Sequence, residues 1–228
     1  MGVIAGANIN DNGLVFSLDA ANFRSYSGSG STSFGLVGGI GGTLVNGTGF
    51  SSANGGSFLF DGTNDFIPVG SLGTFYNQGS ISFWIKFSDV SASIRNPFST
   101  NYGTANNVNV LRFETGEVSG SLRAWFGNDS GTFSGLYYSN VSTNVWYHIF
   151  LTWNQSSTNV SGYTNGVFDN SNSSWSNWPS TFANIGLGIG YSGRYFNGNI
   201  SQVSIYNRAL TAQEIKQNYN ATKKRYGL

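Results

Sequence analysis

Apolar and polar residues alternate along much of this chain with the two-residue period of half-buried strands. Leu14, Phe16 and Leu18 alternate with Val15 and Ser17, and Asp19 ends the stretch. The pattern is cleanest over residues 80–87. There Ile81, Phe83, Ile85 and Phe87 face one way and Ser82, Trp84 and Lys86 the other, which predicts a central strand with a dry face and a wetter one. Residues 57–60 and 65–69 read as two strands about a tight turn at Gly62, Thr63 and Asn64, and residues 108–114 and 121–126 as a hairpin through residues 116–120. Residues 146–153 are nearly all apolar and predict another central strand. Asn165 and Gly166 both tolerate the positive φ of a type I′ turn, so residues 160–164 and 167–168 read as a hairpin. Residues 185–189 form a further strand.

The closing stretch changes period. Ile200, Gln202, Ser204 and Tyr206 alternate with Ser201, Val203 and Ile205, and a helix signal follows at once. Thr211 is a natural N-cap, Glu214 can reach back to its amide, and Leu210 and Ile215 stand where a hydrophobic staple needs its partners. Ile215 and Tyr219 then share one helix face, and Lys223, Lys224 and Arg225 read as a solvated, basic helix end. Residues 24–56 are Gly, Ser and Thr with short apolar pieces, which predicts a long connection carrying one or two short strands. The whole amounts to about twelve strands and one helix without internal repeats, hence an all-β fold of two packed antiparallel sheets. One domain is expected over residues 1–228, with 1–12 an N-terminal extension and 211–228 a C-terminal helix and tail.

Composition narrows the partners. The formal charge of +1 over 228 residues favours neither nucleic acid nor an anionic membrane surface. Charged residues are only 9% of the chain, so Asn, Ser and Thr must solvate its surface. The absence of cysteine excludes disulfides and thiol nucleophiles. No signal peptide is recognisable at the N-terminus, and no apolar run is long enough to span or insert in a membrane.

Four stretches resemble laminin-G-like members of the concanavalin A-like lectin and glucanase superfamily. The closing segment carries Gly198, Ile200, Val203, Ile205, Tyr206, Asn207, Arg208, Ala209, Leu210, Thr211, Glu214 and Ile215 where that family has G-x-I, V-x-I-Y-N-R-A-L-(S/T) and E-I. GLVFSLDAANFRSY (13–26), SFLFDGTNDFIPV (57–69) and WYHIFLTWN (146–154) are similar to its first strand, its F-D-G segment and its W-x-H strand. The resemblance implies an antiparallel jelly-roll β-sandwich. It also implies a calcium ion at the sandwich rim, for which Asp61, Asn64, Asp65 and Asp19 are the candidate ligands. Ser201 and Gln202 stand where the family carries an acid, which counts against that metal. The alternative use of Asp61 and Asn64 is to accept turn amides.

Enzymes of the superfamily mount carboxylates at even spacing on one strand. Glu114 and Glu117 are an odd interval apart and would point to opposite faces, so a retaining glycosidase pair is not expected. His148 is the single histidine, inside an apolar strand, and reads as a packed imidazole rather than a base. The glycine runs at Gly38-Gly39 and Gly41-Gly42 lack the strand-to-helix context of a nucleotide loop. Sugar recognition needs exposed rings, and Trp175 and Trp178 lie in a polar loop without strand periodicity. Tyr191, Arg194 and Tyr195 form a second cluster, and Trp125 faces away from Leu122 and Ala124. The alternative for each ring is packing under its own loop or against a neighbouring subunit.

The expectation is therefore a non-enzymatic carbohydrate-binding or display module. The resemblance further suggests bacteriophage structural proteins: a virion surface protein, capsid decoration or tail fibre, contacting host surface glycans or neighbouring virion proteins as a homo-oligomer or on a particle. The rivals are a structural virion assembly protein without a glycan ligand and a secreted glycan-active enzyme.

Overall fold

The computed structural model describes residues 8–103, 108–116 and 118–228. The chain opens with β1 (Leu14–Asp19). Its long connection then holds three short strands, β2 (Thr32–Phe34), β3 (Gly41–Thr43) and β4 (Gly49–Ser51). β5 (Ser57–Asp61), β6 (Ile67–Gly70), β7 (Gly73–Thr74) and the long β8 (Gln78–Phe87) follow. β9 (Arg95–Ser99), β10 (Val110–Thr115), β11 (Leu122–Gly127) and β12 (Phe133–Tyr137) make an antiparallel meander. β13 (Trp146–Asn154), β14 (Asn159–Thr164) and β15 (Val167–Asn172) make another. β16 (Thr181–Phe182), β17 (Ile185–Leu187), β18 (Asn197–Tyr206) and α1 (Ala212–Thr222) complete the chain.

Two large antiparallel sheets result, with β2–β3 and β7–β16 as separate two-stranded pairs. The larger has the order β15-β14-β13-β8-β18-β5-β4 with β1 also on β18, and the smaller has β12-β11-β10-β9-β17-β6. Phe16, Phe58, Ile81, Phe83 and Ile85 from the larger meet Phe98, Leu111, Phe113, Ala124, Phe126 and Leu187 from the smaller. The two strands expected about the turn at residues 62–64 both form, but in different sheets. That turn carries the chain from one layer to the other, as β5 pairs with β18 and β6 with β17.

The expected wet face of β8 is dry. Trp84 is 1% exposed because α1 and the turn after it lie across the outer face of the larger sheet. Its ring stacks on Tyr226 with centroids 3.9 Å apart and on His148 at 5.0 Å, and its Nε1 donates to Thr222 Oγ1 at 2.8 Å. Phe150, Tyr206, Leu210 and Ile215 form a second cluster there, so β13 is apolar on both faces. Arg225, expected in solvent, instead donates through Nη1 to both oxygens of Asp19 at 2.8 and 3.0 Å and through Nε to Asn54 O at 2.7 Å.

Helix α1 starts as its sequence dictates. Thr211 accepts from the Glu214 amide, and the Glu214 carboxylate accepts from the Thr211 amide at 2.8 Å. Arg208, foremost, and Thr211 hold the Glu214 carboxyl down to about 2. Thr211→Ala is expected to lower stability by about 1 kcal/mol, read as a shifted urea midpoint. The N-terminal extension is tied to the same helix: the Asn10 amide donates to Asn218 Oδ1 at 2.7 Å, and Asn10 Nδ2 to Glu214 Oε1 at 2.9 Å. The Asn165-Gly166 turn adopts φ of 54° and 74°, as the pair predicts.

Candidate functional site

In β10 and β11 the residues Leu111, Phe113, Leu122, Ala124 and Phe126 turn into the core. Strand alternation therefore puts Arg112, Glu114, Arg123 and Trp125 on the opposite face of the smaller sheet. Pairing sets Arg112 opposite Trp125, Glu114 opposite Arg123, and Arg123 opposite Tyr137 of β12. Glu114 is 1% exposed, and its oxygens are crowded with donors. Oε1 accepts from Arg123 Nε at 2.7 Å. Oε2 accepts from Arg112 Nε at 3.1 Å and from Asn96 Nδ2 at 3.4 Å. Arg194 Nη1 approaches the same oxygen to 3.7 Å, beyond hydrogen-bond reach. A buried carboxylate is tolerable only with such partners.

Rings frame this cluster. The Arg123 guanidinium lies 4.2 Å from the Trp125 ring centroid and 5.7 Å from that of Tyr137. Trp125 meets Phe133 edge-on at 4.6 Å, and the residue opposite it on β12 is Gly135, so no side chain competes for the space its ring covers. On the other flank the turn Tyr191–Gly193 brings the Tyr191 ring within 5.9 Å of the Arg112 guanidinium and 4.8 Å of Arg194. Gly190 leads into that turn directly over Asn96; a Cβ there would lie 2.3 Å from the Asn96 side chain, so only glycine lets the loop sit this close. Burial lowers the Arg112 guanidinium below the usual arginine range; Glu114 opposes the shift, and Arg194 and Arg123 reinforce it.

The structure divides the residues expected to bind sugar. Tyr191, Arg194 and Trp125 meet around Glu114 as described. Trp175 does not join them, and the expectation of an exposed ring there is corrected. Its loop folds back so that the Trp175 amide donates to Thr158 O at 2.9 Å, and the indole enters the core 5.1 Å from Phe126, leaving it 1% exposed. Trp178 leans on the same Phe126 at 5.6 Å and is half-buried. Tyr195 packs on Phe66 at 6.4 Å, and its carbonyl accepts from Arg95 Nη1.

Of the four expected calcium ligands, Asp61, Asn64 and Asp65 share one turn and Asp19 lies apart. Asp61 Oδ1 accepts the amides of Thr63 at 2.7 Å and Asn64 at 3.4 Å, and Asp65 Oδ2 accepts the Asp61 amide at 3.0 Å. Burial foremost raises the Asp65 carboxyl. The Asn64 carbonyl accepts from Asn46 Nδ2. Asp19 pairs in register with Gln202 and Asp61 with Asn197, five positions apart on β18, or about 17 Å at strand rise. Asp19 is committed to Arg225. Among the described residues no three His, Cys, Asp or Glu side chains cluster as a metal site, and these donors do not fit a calcium cage.

His148 has no proton-transfer geometry: it is buried under α1, its Nδ1 lacks a partner among the described residues, and burial drives its pKa down to about 3. Glu117 lies outside the described residues. Arg112, Arg123 and Tyr137 were not anticipated. The signal was present in R-F-E (112–114) and R-A-W (123–125), two facing strands with charge at the outward positions.

Comparison with known proteins agrees with this architecture. A family model of the laminin-G type, described as the concanavalin A-like lectin/glucanases superfamily, matches residues 61–216. The ligand-binding domain of botulinum neurotoxin serotype D, solved with N-acetylneuraminic acid, superposes with a TM-score of 0.70 at 16% identity. The match covers 92% of this chain and 51% of that one. The binding domain of Paraclostridial Mosquitocidal Protein 1 gives 0.71 at 20% identity, covering 92% and 52%. The chain thus spans about half the length of these structures. No curated protein matches it in sequence. Among the described residues no helix is long and apolar enough to cross a membrane.

Proposed function

Because the chain belongs to the concanavalin A-like lectin/glucanases superfamily, we propose that it is a carbohydrate-binding module whose ligand lies on the outer face of the smaller sheet. The observation that carries this is the juxtaposition of Trp125 and Arg112 across one strand pair, with Tyr137 at 46% and Phe133 at 44% exposure beside them. Rings of this kind cover the apolar face of a sugar while guanidinium groups donate to its oxygens. The solved neighbours support the reading, being receptor- or ligand-binding domains, one of them with a bound sialic acid.

The module is proposed to be non-enzymatic. Glu114 is enclosed by arginines, and its oxygens already accept from Arg112, Arg123 and Asn96, so neither is placed to protonate a glycosidic oxygen. The donor set at residues 61–65 gives calcium no part in it. We place the module on the surface of a virion, displayed toward host glycans; the low charge and the Asn-, Ser- and Thr-rich composition support that setting. The rival reading, a scaffold without a ligand, draws on the edge strand β15, where Val167 and Phe168 are 66% and 56% exposed.

Glycan-array screening followed by calorimetry tests the proposal. Trp125→Ala is expected to weaken the best array ligand about tenfold, the worth of one lost ring contact. Absence of glycan binding together with particle attachment would leave the scaffold reading standing.

A further inference from the structure

Arg112 and Arg194 are both held near Glu114, and that carboxylate leaves donors of each unused. Its two oxygens accept from Arg123, Arg112 Nε and Asn96, while Arg194 stops at 3.7 Å. Among the described residues the Arg194 guanidinium donates no hydrogen bond; it lies 4.8 Å from the Tyr191 ring centroid, with 30% of its side chain exposed. Arg112 uses Nε alone, and both of its Nη nitrogens are unpaired among the described residues. Both cations are drawn to one ring, where each raises the cost of the other's charge. Two neighbouring guanidinium groups with spare, planar donors beside a saturated carboxylate make a receptor for a second anion.

Resting on the carbohydrate-binding reading above, we infer that the sugar this face takes is an acidic one, its carboxylate or sulfate group seated between Arg112 and Arg194 beside the Tyr191 ring. Arg194 is the specificity-determining residue, because its guanidinium is the more exposed of the two and is free to swing from Glu114 to the ligand. Arg112 is fixed through its bond to Glu114 and supplies the stationary half of the receptor.

The test uses the intact chain and defined probes in calorimetry at low salt: oligogalacturonate, its methyl ester, a sulfated galactan oligosaccharide and the neutral galactan of the same length. The acidic forms are expected to bind at least about tenfold more tightly than their neutral counterparts, a preference that shrinks as salt is raised. Tighter oligogalacturonate alone identifies a carboxylate reader, and tighter sulfated galactan alone a sulfate reader; either supports the inference. Arg194→Gln should erase most of the preference, and Arg194→Lys should restore only part of it, since a point charge lacks the fork. Equal affinity for acidic and neutral probes, or a preference undiminished in Arg194→Gln, overturns the inference while sugar binding stands. Binding of none of the four probes, with no array ligand either, overturns the carbohydrate reading and this inference with it. The comparison of probes on the unaltered chain decides the matter even where a variant folds poorly.

Discussion

Glu114→Gln is expected to destabilise the fold by about 3–5 kcal/mol although it changes almost no volume. The substitution removes the charge around which Arg112, Arg123 and Arg194 are gathered, and Arg112 and Arg123 are only 5% and 6% exposed. The Arg112 guanidinium would then stay desolvated near two other guanidinium groups with a neutral amide in place of the carboxylate, and the sheet would have to open to rehydrate it. Urea denaturation followed by tryptophan fluorescence reads the loss. A change below about 1 kcal/mol would mean that water already solvates the cluster, and the idea of a buried ionic centre in this sheet would be abandoned.

Acid should weaken the protein through His148 before it protonates the carboxylates. The folded imidazole is held down to about 3 by burial, whereas in the unfolded chain it titrates near 6.5. Between those values the unfolded state binds a proton that the folded state refuses, so stability falls as pH falls, by about 1.4 kcal/mol per unit. About 3 kcal/mol is lost between pH 8 and pH 4.5. Below 4.5 the loss steepens, because Glu214 is held at about 2 when folded and its contribution disappears as it protonates. His148→Phe keeps a ring against Trp84 and should flatten the upper part of this profile. A slope between pH 4.5 and 6.5 identical in both chains would show that the imidazole is not the group responsible.

Local pattern carries far in this chain. The capping box at Thr211 and Glu214, the Asn165-Gly166 hairpin and the core face of β8 all follow from spacing alone. What spacing could not supply is the identity of the neighbour across a gap. Trp84 occupies a polar-face position and Trp175 a polar loop, yet both are buried, because α1 covers Trp84 from far away in sequence and the loop after β15 folds back to set Trp175 against Phe126. The same limit applied to the candidate site. Tyr191 and Arg194 read as one cluster and Trp125 as a ring on the sheet face, but Glu114 read only as half of a failed catalytic pair. Its meaning as the hub of an arginine cluster depends on the β10–β11 register and on the Gly190 turn closing from another part of the sheet. Arg225 misled for a similar reason: a basic tail looks solvated until its partner, Asp19, is known to lie beside it.

The position of β18 has a bearing on how the protein is made. This strand lies between β8 on one side and β5 and β1 on the other, so the middle of the larger sheet is supplied by residues translated after all seventeen other strands. Until they emerge, β1 and β5 have no companion along that edge, and Phe16, Phe58 and Ile81 wait as exposed grease in a half-built layer. A polypeptide arrested before residue 197 should therefore be a client for chaperones rather than a smaller working module, and closure should arrive as one late event when the final strand slots in.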